Sequence, residues 1–503
     1  MKRLSRSLLQ ERTNLPPQLA VGVLDRLPET IVQFGGGGFL RAFVDWMVDI
    51  ANEKGLLGGS VVVVQSIRQG MAPILNEQEG LYTVLLRGVQ QGQVVESRRI
   101  VTAVRRALQP YQQWEELAAC FRSPAVRFVV SNTTEAGIVY VDEPLRPGIC
   151  PESFPAKVAA LLLERFRAVR GDPAQGLIFL PCELIDRNGD NLRRCVLRHA
   201  EAWNLKAEFH RWVEEHNHFL NTLVDRIVSG YPRDDAARLA GELGYDDALL
   251  DAGELFHLWV IEGPARLAGE LPLDKAGLNV IWTGDLTPYR TRKVRILNGA
   301  HTASVLIAFQ AGLDTVHEMM HDPALGAFVR RTVLDEILPS VPLEEREKRE
   351  YAEAVFERFC NPFLQHALLS IALNSVSKWK TRVLPSLLNF LKANGRLPPR
   401  LVFSLGALIH FYRGQRADAT ELRGRRGDAS YPIRDDSAVL DFFEKAWAAH
   451  RPGRTNELAA AVLANRSFWD VDLTALPGLT EAVTAGLDAI LMHGARNAVS
   501  SFC

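Results

Sequence analysis

The sequence has few cysteines, and none has the spacing that disulfide frameworks or metal sites use. Six occur in 503 residues, and no two of them form a C-x-x-C pair. Disulfide scaffolds are dense in cysteine, and thiolate zinc sites need closely paired ligands. Both classes are therefore excluded, and we expect a protein of a reducing compartment.

Long apolar runs and an excess of either charge are also missing. No stretch of about 18 uninterrupted apolar residues occurs, so no membrane-spanning helix is predicted. The basic first 18 residues contain no long apolar segment, which is unlike a signal peptide. The net charge is −1, whereas nucleic-acid-binding proteins usually carry a basic excess. We expect a cytoplasmic protein with a small-molecule partner and no nucleic-acid or membrane partner, either a monomer or a homo-oligomer.

The apolar content of 47% is enough for a large core in more than one domain. In the first half, β-branched runs alternate with helical patterns, and strands are predicted within 30–40, 60–67, 125–133 and 176–185. Such strands are typical of a parallel sheet covered on both faces. After residue 293 the pattern is helical throughout, with a loop at 413–435. We predict an α/β, Rossmann-like domain with a mostly parallel sheet at 1–285, followed by an all-α domain at 286–503.

A run of glycines follows the first of these strands and precedes a predicted helix. The stretch FGGGGFLRAF contains Gly35, Gly36, Gly37 and Gly38, followed by Phe39. Glycines at this place let the backbone approach a pyrophosphate at the helix N-terminus. The strict G-x-G-x-x-G spacing is not met, and a simple tight turn would also explain the glycines. Dinucleotide binding is the favoured interpretation.

The second predicted strand lacks the acid that usually binds the adenosine ribose in such folds. In VVVVQSIRQGMAPILNEQ no acid occurs before Glu77, and Arg68 lies near the expected position. An arginine there would favour a 2′-phosphate. The residues themselves therefore leave both NAD and NADP open.

The stretch TVHEMMHDP matches the H-E-x-x-H pattern of zinc peptidases through His317, Glu318 and His321. In those enzymes the two histidines bind the metal and the glutamate activates water. Here Pro323 pushes Asp322 out of helical geometry directly after the second histidine. A third ligand is not evident. We therefore predict no metal site, and a zinc peptidase is the disfavoured alternative.

The stretch RKVRILNGAHTA places Lys293, Asn298 and His301 in or beside one apolar, helix-like run. A carbonyl that receives a hydride needs a proton, which a lysine beside the substrate can supply. An asparagine can donate to the developing oxyanion, and a histidine can orient a hydroxyl group. Three ordinary polar residues on an amphipathic helix would give the same pattern, and the spacing alone does not decide between the two.

Two motifs resemble those of a known enzyme family. KVRILNGAH is similar to the K-x-x-x-x-N-x-x-H signature of the mannitol dehydrogenase family of polyol-specific long-chain dehydrogenases, and FGGGGFLRAF resembles its glycine turn. Asn132, together with the glycine turn and Arg68, is then expected in the cofactor site. Further stretches resemble the sugar-acid branch of the family: VVSNTTEAGI (129–138), SFPAKVAALLLERF (153–166), LPCELIDRNGD (180–190), NTLVDRIVSGYP (221–232), FHLWVIEGP (256–264) and NSVSKWKTRVLPS (374–386).

The resemblance implies a metal-independent oxidoreductase that uses NAD(H) to interconvert D-tagaturonate and D-altronate in hexuronate breakdown. It implies that Lys293 is the general acid/base, that Asn298 polarises the carbonyl and that His301 positions the substrate. Asp225 and Lys378 match substrate-site residues of the family. Fructuronate (mannonate) or mannitol oxidation is the alternative within the family, and a nucleotide-binding protein without catalysis is an alternative outside it.

The sequence departs from the mannitol enzymes at two places. Leu184 stands where those enzymes have a second oxyanion-donating asparagine, so either another donor such as Asn188 acts there or the oxyanion hole is arranged differently. Arg290 stands where they have an acid. Together with Arg292 it would suit a carboxylate-bearing substrate, because arginine binds carboxylates in a fork. Pairing of these arginines with the protein's own acids is equally open.

Overall fold

The computed structural model describes residues 1–11, 15–16, 18–65, 67–134 and 136–502. The chain forms two compact units. The first comprises Met1–Gly88 and Val94–Leu286, and the second comprises Val89–Gln93 and Thr287–Cys503.

The first unit mixes strands and helices. Its strands are β1 (Leu19–Val21), β2 (Glu29–Phe34), β3 (Ser60–Val64), β4 (Tyr82–Gln90), β5 (Gln93–Val101), β6 (Val104–Leu108), β7 (Phe128–Ser131), β8 (Ile178–Pro181), β9 (His218–Phe219), β10 (Asn221–Asp225), β11 (Val228–Gly230), β12 (Asp251–Glu254), β13 (Leu258–Glu262) and β14 (Val280–Thr283). Its helices are α1 (Arg6–Glu11), α2 (Gly38–Leu40), α3 (Trp46–Glu53), α4 (Ala72–Glu77), α5 (Trp114–Arg122), α6 (Phe154–Ala168), α7 (Asn188–Ala202), α8 (Ala207–His216) and α9 (Ala236–Leu243), with a π-helical turn at Arg41–Asp45 and 3₁₀ turns at Pro173–Gln175 and Ala265–Gly269.

The main sheet of this unit has six strands in the order β6-β3-β2-β7-β8-β9, and every pairing is parallel. Renumbered along the chain, this is the order 3-2-1-4-5-6 of the dinucleotide-binding fold. The four predicted strands are β2, β3, β7 and β8, so the predicted parallel sheet is confirmed. The order reverses between β2 and β7, and ligands of such sheets bind outside the carboxyl ends of the strands at that point.

Alternate residues of the central strands fill an apolar core on each face of the sheet. Ile31, Val61 and Val63 belong to one cluster, whereas Val32 and Val62 belong to the other. A strand that is buried on both faces needs an uninterrupted apolar run, and this explains the sequence SVVVV of β3.

Two smaller sheets complete the first unit. One has the order β1-β5-β4-β12-β11, in which β1 and β5 pair in parallel, as do β4 and β12, while β11 and β12 are antiparallel. The other has the order β10-β13-β14, with one antiparallel and one parallel pairing.

The second unit is mainly helical, as predicted. Its helices are α10 (Thr287–Arg292), α11 (Gly299–Gln310), α12 (Val316–His321), α13 (Pro323–Arg331), α14 (Glu345–Phe359), α15 (Leu368–Ile371), α16 (Ser375–Arg382), α17 (Leu384–Asn394), α18 (Pro399–Phe411), α19 (Ser437–Ala449), α20 (Thr455–Leu463), α21 (Arg466–Trp469) and α22 (Leu479–Val499). It also has π-helical turns at Lys293–Asn298 and Thr332–Ile337 and 3₁₀ turns at Leu338–Ser340, Leu473–Ala475 and Ser500–Phe502. Among the described residues, no helix of either unit is long and apolar enough to cross a membrane.

The prediction that this domain is all-α is wrong at 413–435, which was expected to be a loop. An antiparallel sheet forms there from β15 (Gly414–Asp418), β16 (Glu421–Arg426) and β17 (Ala429–Arg434). Leu422 and Ile433 face each other and are fully buried. Arginines at alternate positions conceal this short apolar pattern in the sequence, and Gly427 at a φ of +60° permits the tight connection between β16 and β17.

Candidate active site

The glycine turn lies where β2 ends, beside the end of β7. Gly35 has a φ of +125°, and a Cβ atom on it would lie 2.9 Å from the carbonyl oxygen of Asn132. Any larger residue is therefore excluded there. A Cβ atom on Gly37 would meet no atom within 4 Å, so this part of the turn is open to a ligand. An open backbone turn before a helix at the reversal of strand order fits the pyrophosphate of a dinucleotide.

The helix after the turn is not regular. It starts as α2, widens into the π-helical turn at Arg41–Asp45 and continues as α3 to Glu53, after which Gly55 has a φ of +68°. Phe39 stacks on Phe43, with ring centroids 5.0 Å apart, and packs against the core. Gly36 approaches Val63 of β3, because a Cβ on Gly36 would lie 3.3 Å from the Cγ1 atom of that residue. The turn is thus fixed to the sheet below it.

A buried network of polar side chains lies under this turn. The Asp45 carboxylate accepts hydrogen bonds from Gln33 Nε2 at 3.2 Å and from the Tyr82 hydroxyl at 3.0 Å, and burial raises the pKa of Asp45 to about 7. A Cβ atom on Gly38 would lie 2.9 Å from Oδ1 of Asp251. Burial raises the pKa of Asp251 to about 6. Sequence reasoning missed this network; two acids within otherwise apolar segments are its only signal.

Asn132 follows β7 directly and closes the other side of the same crevice. Its backbone N–H donates to the Phe34 carbonyl at 3.0 Å, and its side-chain amide donates to the Cys182 carbonyl at 3.2 Å. The next residue, Thr133, is held by the buried Glu183 carboxylate, which accepts from its N–H at 2.9 Å and from its hydroxyl at 3.0 Å. Asn132 and the glycine turn are therefore neighbours, whereas nothing in the sequence pattern alone brings them together.

The suggestion that Asn188 replaces the missing oxyanion donor is wrong. Its side chain is buried, and its Nδ2 atom donates to the carbonyls of Pro181, Glu183 and Thr222 at 2.9–3.1 Å. The amide hydrogens are thereby consumed in joining the end of β8 to β10. Leu184 itself is 64% exposed just beyond β8.

Arg68 lies beyond β3, on the other side of the strand reversal from Asn132. Its guanidinium forms an ion pair with the Glu152 carboxylate at 2.6 Å and stacks over the ring of Tyr111 at 4.3 Å. Both charged groups of this pair remain largely exposed. Arg68, the basic side chain that the sequence indicated here, is therefore paired with an acid, Glu152, from a distant part of the chain.

Asp225 is the last residue of β10, where it pairs with Leu258 of β13, and its side chain is buried. The next residue, Arg226, donates to the Ala42 carbonyl at 2.6 Å and stacks over Trp46 at 4.3 Å. Burial lowers the pKa of Arg226 to about 9. These contacts fix the backbone immediately after Asp225.

In the second unit, Lys293 and Asn298 are the first and last residues of a π-helical turn. The Gly299 amide donates to the Val294 carbonyl, five residues back. In a regular α-helix, residues five apart point about 140° away from each other. A π turn places residues five apart above one another, so Lys293 and Asn298 share a side of the helix. His301 follows three residues after Asn298, in α11.

His301 is 8% exposed and its ring stacks on Phe359, with centroids 4.2 Å apart and an interplanar angle of 15°. The ring of His366 is nearly perpendicular to that of His301, with ring centroids 5.4 Å apart. Within the described part of the chain, the Nε2 atom of His301 is buried without a hydrogen-bond partner. Burial holds the pKa of His301 well below 6.5, and nearby positive side chains lower it further. The ring is therefore neutral.

Lys378 and Arg382 are two of the positive side chains around His301. They lie one helical turn apart in α16, and the Lys378 Nζ atom donates to the Ile371 carbonyl at 2.9 Å. Burial lowers the pKa of both; Arg382 lowers the pKa of Lys378 further, whereas Asp435 raises it. No acid of the described residues forms an ion pair with either of them. Sequence reasoning named Lys378 and missed Arg382.

Arg292 is engaged within its own unit. It is buried, its guanidinium forms an ion pair with Glu347 at 2.7 Å, and it stacks over Tyr351 at 4.4 Å. Of the two interpretations that the sequence left open, these contacts favour pairing with the protein's own acid.

The H-E-x-x-H stretch, from His317 to His321, lies within the short helix α12. Glu318 accepts hydrogen bonds from the backbone N–H groups of Asp314 at 2.8 Å and Thr315 at 2.9 Å, which makes it part of a capping box. The glutamate that would activate water in a peptidase therefore caps a helix here. In the ranges that the structure describes, no three His, Cys, Asp or Glu side chains are grouped to hold a metal ion.

Comparison with known proteins gives a consistent result over the whole chain. Residues 29–275 match the model of the mannitol dehydrogenase Rossmann domain, and residues 285–491 match that of the mannitol dehydrogenase C-terminal domain. An altronate oxidoreductase of Enterobacter sp. (strain 638) is 49% identical over 479 residues, which cover 95% of this chain and 97% of that protein. The altronate oxidoreductase of Escherichia coli (strain K12) has the same identity and coverage.

A solved structure with the same fold is that of Pseudomonas fluorescens mannitol 2-dehydrogenase in a ternary complex with NAD and D-mannitol. It is 24% identical, with a TM-score of 0.68, and the match covers 100% of this chain and 99% of that one.

Proposed function

The chain belongs to the mannitol dehydrogenase family, and we propose from this premise that it reversibly reduces D-tagaturonate to D-altronate with NADH. Relatives that are 49% identical are named altronate oxidoreductases, and the match covers 95% of the chain. Fructuronate (mannonate) and mannitol are the alternative substrates within the family.

The observation that carries a sugar-acid substrate is the positive surroundings of His301. Lys378 and Arg382 are half-buried there and form no ion pair with any acid of the described residues, although the charge of Asp435 acts on Lys378. Partial burial of a positive charge without an ion-pair partner carries a cost in free energy. A substrate carboxylate would neutralise them, and an arginine can bind it through two parallel hydrogen bonds. A neutral polyol would not neutralise either side chain.

Residues 1–285 would form the cofactor domain. The glycine turn and Asn132 fit the pyrophosphate and the adjoining part of a nicotinamide dinucleotide, which supplies or accepts the hydride when it is bound. The ion pair between Arg68 and Glu152 removes the free positive charge that a 2′-phosphate would need. This favours NAD(H) over NADP(H).

Residues 286–503 would form the catalytic domain. Lys293 donates a proton to the substrate oxygen in reduction and accepts it in oxidation, while the Asn298 amide hydrogen-bonds to the same oxygen. The neutral His301 ring orients a substrate hydroxyl through its unpartnered Nε2 atom. Asp225 and Lys378 complete the proposed set of substrate-binding residues.

The experiment that tests this proposal is a matrix of two cofactors and several substrates. Oxidation of NADH and of NADPH is followed with D-tagaturonate, D-fructuronate and D-fructose, and the reverse reaction with D-altronate, D-mannonate and D-mannitol. The highest kcat/KM is expected for D-tagaturonate with NADH. A higher value for D-fructuronate or D-fructose would replace the assignment by that alternative.

A further inference from the structure

Two side chains of the first unit meet beyond the carboxyl ends of neighbouring strands, on the side of the sheet where the second and third strands of a dinucleotide fold lie. Arg68 follows β3 and Tyr111 follows β6, and these strands pair in parallel. Glu152 reaches the same place from the segment that leads into α6. In dinucleotide folds the end of the second strand is where the adenosine ribose is recognised.

Glu152 is fixed in this position by its backbone. Its N–H donates to the Glu143 carboxylate at 2.7 Å, and its carbonyl accepts from the Lys157 Nζ atom at 2.6 Å. Lys157 is buried and also donates to the Tyr111 hydroxyl at 3.1 Å. An exposed ion pair alone would be weak and mobile. Here the backbone of Glu152 is held by Glu143 and by the buried Lys157, through hydrogen bonds that do not involve Arg68.

We propose that Glu152 supplies the acid that the second strand lacks, and that it selects NAD(H) against NADP(H). Its carboxylate pairs with Arg68 through one oxygen, and the exposed group can accept hydrogen bonds from the ribose hydroxyls through the other. This inference rests on the proposed use of a nicotinamide dinucleotide. It adds a specificity-determining residue that lies 84 positions from Arg68.

The charge of the pair explains the direction of the selectivity. Without Glu152, Arg68 would present a free guanidinium stacked on Tyr111, which is a good site for a phosphate. With Glu152 present, a 2′-phosphate meets a carboxylate and must displace it from Arg68. The ribose hydroxyls of NAD carry no charge and meet no such repulsion.

The test is direct titration of the protein with NADH and with NADPH, without sugar acid, followed by cofactor fluorescence. Glu152→Gln is expected to tighten NADPH binding by about tenfold, since a charge-assisted hydrogen bond from Arg68 to the 2′-phosphate replaces a repulsion by Glu152. The same change is expected to weaken NADH binding, since the ribose hydroxyls lose the carboxylate that accepts their hydrogen bonds. In Glu152→Gln combined with Arg68→Met, the gain in NADPH affinity is expected to disappear. Glu115→Gln, which removes the exposed partner of Arg122 in α5, is the matched control and should change neither affinity.

An unchanged ratio of the two dissociation constants in Glu152→Gln would overturn the proposal, as would equal weakening of both cofactors. If the double variant kept the increased affinity for NADPH, this would overturn the role of Arg68. Because the titration contains no sugar acid, failure to reduce D-tagaturonate would contradict the proposed substrate and leave this result intact. Failure of the unaltered protein to bind either cofactor would contradict the proposed cofactor and this inference together.

Discussion

The Gly299 amide donates its hydrogen bond to the carbonyl of Val294, five residues back along the helix. It belongs to the π-helical turn at Lys293–Asn298, which changes the geometry of the segment that carries Lys293 and Asn298. On an α-helix these two residues would point about 140° apart. The wider turn brings them to one side, and such turns occur frequently at functional sites. The account of catalysis depends on this shared side.

Replacement of Lys293 by Met tests the proton donor. Turnover should fall by about 10²–10⁴-fold, because a positioned acid/base group contributes that much. NADH affinity should stay unchanged, since the glycine turn belongs to the other unit. Steady-state kinetics and NADH titration measure the two effects. Lys392→Met, in α17, is the matched control, and unaltered turnover in Lys293→Met would remove this residue from the mechanism.

Replacement of Asn298 by Ala tests the polarising amide. Loss of one oxyanion donor typically lowers kcat by about 10²–10³-fold. The KM for the sugar acid should change little, because the interaction strengthens only as charge develops on the oxygen. Asn394→Ala, at the end of α17, serves as the control. A rise in KM at unchanged kcat would instead assign Asn298 to ground-state binding.

Replacement of Arg382 by Met tests the carboxylate site. The KM for D-tagaturonate should rise by about tenfold or more, the size of a lost charge-assisted hydrogen bond. A neutral ketose has no carboxylate, so its KM should be unaffected. Arg382→Lys should recover part of the loss, and Arg396→Met is a control on an exposed arginine in the same unit. Equal losses for acid and neutral substrates would mean that Arg382 only supports the fold.

Stability should depend on pH through Asp45 under the glycine turn. Burial raises its pKa from 3.8 to about 7, so the folded state holds a proton that the unfolded state has released. Between about pH 4 and pH 7 this carboxyl therefore makes the folded state less stable as pH rises. The Asp45→Asn variant has no group that titrates at this position. The difference between its melting temperature and that of the unaltered protein should therefore increase from pH 5 to pH 8.

Thermal melts at one-unit pH intervals measure this difference, with Asp274→Asn as an exposed control. A difference in melting temperature that stays constant from pH 5 to pH 8 would show that Asp45 does not titrate in that range.

Chelation should leave activity unchanged, because Glu318 caps a helix and is not placed as a metal-site base. Glu318→Ala should lower the free energy of unfolding by about 1 kcal/mol, the usual contribution of a cap, without loss of turnover. The checks are activity after dialysis against EDTA and thermal melts of the variant. Activity that EDTA abolishes and zinc restores would contradict a metal-independent mechanism.

The sequence predicts the features that depend on local pattern. The apolar runs of β2, β3, β7 and β8 need burial on both faces, and the left-handed conformation at Gly35 needs a residue without a Cβ atom. Both requirements can be recognised in the amino-acid sequence. The helix around Asn298 is also predicted, but its π turn is not, because the periodicity of an apolar helix is nearly the same with one residue inserted.

Features made by residues far apart in the chain are not predictable in this way. Arg68 meets Glu152 only because two strands and a helix position them, and Arg382 is near His301 only through the packing of α16. The assignment of Asn188 as an oxyanion donor failed for the same reason. Its amide is consumed by carbonyls at the ends of two other segments, which the sequence does not place beside it.

The central claim is that the second unit binds a ketone that carries a carboxylate and that Lys293 protonates it. The most direct measurement compares kcat/KM for NADH oxidation with D-tagaturonate and with D-fructose, in the unaltered protein and in Arg382→Met. The unaltered protein should strongly prefer D-tagaturonate, and the variant should lose most of that preference while its activity with D-fructose persists. Equal activity on both ketones in the unaltered protein, or a preference that survives in the variant, would contradict the account.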